Sequence, residues 1–180
     1  ATAALIDAVV QKFGETAFLS EHDATWIGMV SSNHGNSVRL APSGTGIFDG
    51  LAGIGLELAS AYATTANDRA LALTKKCLTP VAIDLERWCN DRRGPLGAFS
   101  GAGGLAYSLF TASKLLGEDV DQWLDLVRRY VLSVRDPVSE DDLLDVSAGA
   151  AGAAAVLAAL LESRAPFRDD CLTALAACVE

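Results

Sequence analysis

Phe48–Ala59, FDGLAGIGLELA, superimposes without gaps on Phe99–Phe110, FSGAGGLAYSLF, and on Ser147–Ala158, SAGAAGAAAVLA. Placing Gly50, Gly101 and Gly149 in register also aligns the second glycines, Gly53, Gly104 and Gly152. A motif returning about every fifty residues marks a repeat architecture, with room in each unit for two helices and their connections. The repeated segments are apolar nearly all round, the pattern of a helix buried on every side. Amphipathic stretches run between them. Asp119–Val134 is the clearest, with Val120, Trp123, Leu124, Val127, Val131 and Val134 on one stripe and Asp121, Gln122, Asp125, Arg128 and Arg129 opposite. A helix with a single apolar stripe covers one without, so the pairs predict two layers, inner helices packed together and outer helices around them.

Composition points the same way. The 180 residues are 51% hydrophobic, enough for one substantial core in one domain. Alanine and leucine outweigh the β-branched and aromatic residues, which favours an all-α fold. Outward from the repeats, Thr2–Phe18 carries Leu5, Ile6, Val9, Val10, Phe13, Ala17 and Phe18 at helical spacing. Ser20–Thr45 turns to Ser, Asn, Gly, His and Pro and reads as a long loop, with a short strand around Trp26–Val30. Residues 1–46 are thus a lead-in helix and loop, and 47–180 the repeated inner and outer pairs. The chain starts at Ala1 and stops at Glu180 inside a helical pattern, so both ends read as cuts in a longer protein.

Fourteen basic against 23 acidic residues give a net charge of −9, which opposes a nucleic-acid or anionic-membrane surface. Val146–Leu161, the longest uncharged stretch, is too short for a bilayer span. No secretory signal is visible, so a cytoplasmic protein is expected, with Cys77, Cys89, Cys171 and Cys178 as reduced structural thiols. None forms a C-x-x-C pair or lies near His22 or His34, and no metal is expected to bind these residues.

A glycine inside a helix costs about 1 kcal/mol relative to alanine, so Gly50, Gly53, Gly101, Gly104, Gly149 and Gly152 need a compensating reason. Close approach of the inner helices is one. Another is that glycines at the helix starts leave N–H groups unshielded at one rim, where a polar or anionic ligand group could be held.

Among the carboxylates, Ser139–Asp142 has the form of a helix N-terminus, a serine cap followed by acids against the dipole. Asp145 differs. It lies between Leu144 and Val146, just ahead of a wholly apolar segment, so its carboxylate is expected to face the inner rim as an acid–base group or as a structural carboxylate. Asp49, beside Gly50, reads as a cap or a rim contact.

Together, Asp49–Ile54 (DGLAGI), Gly97–Leu105 (GAFSGAGGL) and Asp145–Gly152 (DVSAGAAG), in that order and spacing, resemble the lanthionine synthetase C-like family. Trp26-Ile27-Gly28 and Ile47-Phe48-Asp49-Gly50 are similar to the opening of that domain in the type 2, bifunctional synthetases, with Ile-Phe where Leu-Tyr is usual. The resemblance implies an α/α toroid of seven helical pairs, of which this chain supplies about the first half. It implies an enzyme that closes thioether rings, adding cysteine thiols of a precursor peptide to dehydrated Ser or Thr residues made by a dehydratase domain in the same chain. Asp145 matches the family's acid/base aspartate. The family's zinc, held by two Cys and a His directly after the second, has no counterpart here, because no Cys-His pair occurs. The catalytic His and Arg are likewise expected beyond Glu180. The fragment alone is then expected to be inert and to self-associate through its open edge.

Two other classes fit part of the pattern. In a glycosidase-type α/α barrel, Asp49 and Asp145 would act as acid and base across one rim. A non-catalytic toroid would bind peptides or a thiol compound.

Overall fold

The computed structural model describes residues 2–31, 38–117 and 121–178. Helix α1, Thr2–Thr16, leads in. Two small antiparallel hairpins follow, β1 (Phe18–Leu19) with β2 (Ala24–Thr25) and β3 (Ile27–Ser31) with β4 (Val38–Pro42). The strand expected around Trp26–Val30 is β3, while the loop expected over the rest of Ser20–Thr45 is corrected: further short strands and tight connections lie on either side of it among the described residues. β1 and β2 carry one residue on each face and β3 and β4 two or three, too few to establish an alternating period. The indole N–H of Trp26 donates to the Phe13 carbonyl at 3.0 Å, and the two rings meet edge to face at 5.6 Å. This contact fastens the hairpins to α1.

The inner helices are α2 (Leu51–Thr65), α4 (Ala102–Leu116) and α7 (Ala150–Glu162), and Gly50, Gly101 and Gly149 are their N-cap residues. Each is followed by an outer helix: α3 (Asp68–Asp91), α5 (Asp121–Ser133) and α8 (Arg168–Ala177), with a short α6 (Arg135–Ser139) after α5. The repeat and its two layers are thus present, and the fold is all-α apart from the hairpins. Local chemistry explains the turns. Ala66 ends α2 in the left-handed region at φ 53°, and the Asn67 side chain then accepts from the N–H groups of Arg69 and Ala70 to start α3. Gly117 closes α4 at φ 63°.

The core lies between the layers. Leu58, Leu109, Leu157 and Leu160 of the inner helices and Leu78, Leu85, Val127 and Tyr130 of the outer ones are fully buried. Each such leucine contributes roughly 1.5–3 kcal/mol relative to exposure. Expected stripe residues Trp123, Val127 and Val131 are inside, joined by Leu126 and Tyr130. Among the described residues no helix is long and apolar enough to cross a membrane.

Ser139 does not start a helix. It ends α6, its hydroxyl donating to the Asp136 carbonyl, and residues 140–149 form a loop before α7. The cap-like spelling of Ser139–Asp142 was overridden because its acid reaches forward to α7.

Candidate functional site

In all three repeats a loop folds back over the start of the inner helix. A Cβ on Gly53 would meet the carbonyl of Ile47, one on Gly104 that of Ala98, and one on Gly152 that of Val146, each six residues earlier. The glycines are therefore required by close approach, to their own preceding loop and, for Gly152, also to Gly97 and Ala98 in the loop of the second repeat, rather than to a neighbouring helix. The N-cap glycines have extended backbone that other residues adopt, so space and not conformation is what they supply.

The same loops take up the helix-start N–H groups. Leu51 donates to Gly44 at 2.7 Å, while Ala102 and Gly103 donate to Pro95 and Leu96 at 3.0 and 3.1 Å. In the third repeat Gly152 donates to the Asp145 carbonyl at 3.2 Å and Ala150 to Asp141 Oδ2 at 2.8 Å. The expectation of unshielded N–H groups open to a ligand is corrected: these donors are spent within the rim.

Adjacent loops are joined to one another. Ile47 N–H donates to the Phe99 carbonyl at 3.2 Å, and Phe99 N–H to the Ser147 carbonyl at 3.1 Å. Ala98 donates to Val146 at 3.0 Å, and Leu96 and Gly97 both donate to Ala148, at 2.7 and 2.9 Å. Outside this ladder, Thr45 donates its hydroxyl to Asp84 of α3 at 2.8 Å, which ties the first loop to the outer layer. The result is a rigid rim on which Phe48, Phe99, Leu143, Leu144 and Val146 are exposed.

Asp145 stands on this rim. Its Oδ1 accepts the Ala148 N–H at 2.7 Å, and its main-chain carbonyl accepts from Gly149 and Gly152. The side chain is exposed, not shielded by Leu144 and Val146, which are themselves exposed. One carboxylate oxygen is thus tied to the loop and the other has no partner among the described residues. Asp49 is also exposed, at the repeat position of Ala148 rather than of Asp145, and α2 receives no side-chain cap from Gly50. The structure brings all six repeated glycines and Asp145 to one rim.

Asp141 carries the capping. Its Oδ2 accepts from Leu144 N–H at 2.9 Å as well as from Ala150. Slight burial raises its pKa, but the N–H bonds from Leu144, Ala150 and Leu143 outweigh that and hold it below the usual carboxylate value. The bond to Leu144 also holds that residue at φ 54°, a left-handed conformation uncommon for leucine.

Below the rim the inner helices line an apolar hollow of about 340 Å³. Leu56, Tyr107 and Ala155 form its wall, and each is the sixth residue after its N-cap glycine. Sequence reasoning missed these three. Their shared register is present in the alignment, but leucine, tyrosine and alanine have no common chemistry to mark it.

The four cysteines are free thiols. Burial pushes Cys77 up to about 12 and Cys89 and Cys171 up to about 11, and raises Cys178. A protonated buried thiol is a poor ligand and a poor nucleophile. His22 is exposed near Glu21, and His34 lies outside the described residues. Among the described residues no cluster of three or more His, Cys, Asp and Glu side chains could hold a metal ion. The zinc implied by the resemblance finds no fitting ligand set among the described residues.

Residues 41–180 match the family model described as lanthionine synthetase C-like protein. The chain belongs to the lanthionine synthetase C-like family. The match begins in β4 and covers all three glycine repeats, so the stitched rim and the inner wall are features of this chain's lanthionine synthetase C-like region. No curated protein matches the sequence.

Proposed function

We propose that this chain is part of the cyclase domain of a type 2 lanthipeptide synthetase, a cytoplasmic enzyme that closes thioether rings in a precursor peptide dehydrated by a domain of the same protein. The reading rests on one observation. Asp145, at the position of the family's acid/base aspartate, lies on a main-chain-stitched rim with one carboxylate oxygen tied to Ala148 and the other open.

Ring closure adds S–H across a carbon–carbon double bond. A sulfur–Cβ bond forms, the π electrons pass to the α-carbon, and a proton must reach that carbon. Asp145 is the group of this chain that takes up and delivers that proton at the α-carbon. The Ala148 N–H fixes its orientation, since a positioned acid needs one oxygen held and one presented. We place the family's zinc, which lowers the thiol pKa in this chemistry, outside the residues of this chain, and the chain alone is then inactive.

The test is direct. A dehydrated, thiol-bearing precursor is incubated with the chain and with its parent synthetase, and open thiols are counted by alkylation and mass spectrometry. Rings are expected with the parent and none with the chain. A parent that leaves the dehydrated peptide open would remove this reading.

A further inference from the structure

We infer that the hollow beneath the rim is a side-chain pocket that receives an uncharged, apolar residue of a peptide substrate next to the residue undergoing reaction. The inference rests on the cyclase reading and names what that site selects.

Three observations carry it. The wall is built from equivalent positions of the three repeats, Leu56, Tyr107 and Ala155, so the inner helices present a single concave surface rather than a chance gap. The upper edge is Ala98 and Phe99, whose N–H groups bond the carbonyls of Val146 and Ser147, the two residues immediately after Asp145. A peptide with its reacting α-carbon at Asp145 therefore has a neighbouring side chain over the hollow. Finally, every lining residue is uncharged, and Tyr107 brings the one side-chain hydroxyl to the wall.

These features choose the occupant. About 340 Å³ is near the lower end of the roughly 300–1,000 Å³ of ligand sites, room for one side chain and not for a folded partner. A carboxylate or ammonium entering it would lose water and meet no counter-charge, whereas a leucine-like side chain would exchange water for Leu56, Ala155 and Val156. Tyr107 supplies the one donor, suited to a carbonyl of the extended peptide main chain. The polar-cavity alternative between α3 and the start of α4 has two arginines offset by two aspartates and is less selective.

The chain, with 13C-labelled Leu and Val methyl groups, is titrated with two blocked hexapeptides carrying dehydroalanine followed by leucine or by aspartate. The leucine peptide is expected to shift the Leu56 and Val156 methyl signals, and to reach half-saturation at a concentration about tenfold or more lower. Ala155→Trp, which fills the hollow, is expected to erase that difference; if circular dichroism shows it unfolded, Ala159→Leu fills the same space from the next turn. The leucine preference is expected to persist when alanine replaces dehydroalanine, because the wall reads the neighbouring side chain. Equal half-saturation for the two peptides, or a preference that survives in a folded filled variant, would overturn the assignment. A parent enzyme that closes no rings while this preference holds would count against the cyclase reading and leave the pocket standing.

Discussion

The main-chain N–H of Ala150 donates to Asp141 Oδ2 across 2.8 Å, although the two residues are nine apart in the chain. The same oxygen accepts from Leu144 at 2.9 Å, so one carboxylate both caps α7 and shapes the loop that presents Asp145. Asp141→Ala is expected to lower stability by about 0.5–2 kcal/mol. Because folding depresses the Asp141 pKa, its contribution is present above the unfolded value, near 4, and is lost as pH falls through the folded one. Melting curves of the two proteins should therefore converge as the pH is lowered beyond the unfolded value. A constant gap across that range would show that the lost stability is not carried by the ionised carboxylate.

Asp145 separates cleanly from its neighbour. In Asp145→Asn the amide oxygen can still accept from Ala148, so melting should be nearly unchanged. Ring closure by the parent enzyme should slow on the order of 100- to 10,000-fold, because the amide cannot carry a proton. Wild-type rates together with a lowered melting temperature would make Asp145 a cap only.

Gly53→Ala, Gly104→Ala and Gly152→Ala set two effects against each other. Helix propensity favours alanine by about 1 kcal/mol. The new Cβ, however, drives into a main-chain carbonyl of the packed loop, and such overpacking costs typically about 1–3 kcal/mol. The clash should win, giving a net loss in each variant by denaturant titration. Gly28→Ala, where nothing lies within 4 Å, should stay within about 0.5 kcal/mol of the parent. A gain in stability at any of the three helix positions would mean that the loop does not sit on the glycine.

Tyr130 is fully buried with no hydrogen-bond partner for its hydroxyl among the described residues, and burial raises its pKa first, with nearby Cys178, Cys89 and Cys171 adding to the rise. Removing an unpaired buried hydroxyl relieves a desolvation cost of about 1–3 kcal/mol, against which a small void must be set. Tyr130→Phe should thus hold or raise the melting temperature. A fall of several degrees would reveal a partner for the hydroxyl.

The thiols predict an alkaline limit. Folding raises their pKa above the unfolded value of about 9, so the stability they bring is complete below that pH and declines as it rises toward 12. Iodoacetamide at pH 8 should modify Cys178 first, since it is the one thiol not fully buried, and Cys77 last. Equal labelling rates without denaturant would contradict that order.

The fold was readable because Gly50, Gly101 and Gly149 repeat over a long interval and the helices between them carry strong periodicity. Of the hairpins only the strand around Trp26–Val30, β3, was readable, since β1 and β2 have two residues each. At the site, Asp145 was legible from its place ahead of the third repeat. Its exposure was not, because that depends on the turn at Leu144, a left-handed leucine that no local preference signals. Asp141 looked like the first turn of a nearby helix; its true partner, Ala150, lies across a loop whose path only packing determines.

Peptide groups are alike whatever side chain they carry, and the bonds from Ile47 to Phe99 and from Phe99 to Ser147 are made only of peptide groups. Phenylalanine occupies the equivalent position in two repeats, at 48 and 99, and serine in the third, at 147, without breaking the ladder. Side chains at these positions can be exchanged while the frame beneath them stays in alignment. Sequence can therefore drift along the face of the rim without the loops losing register.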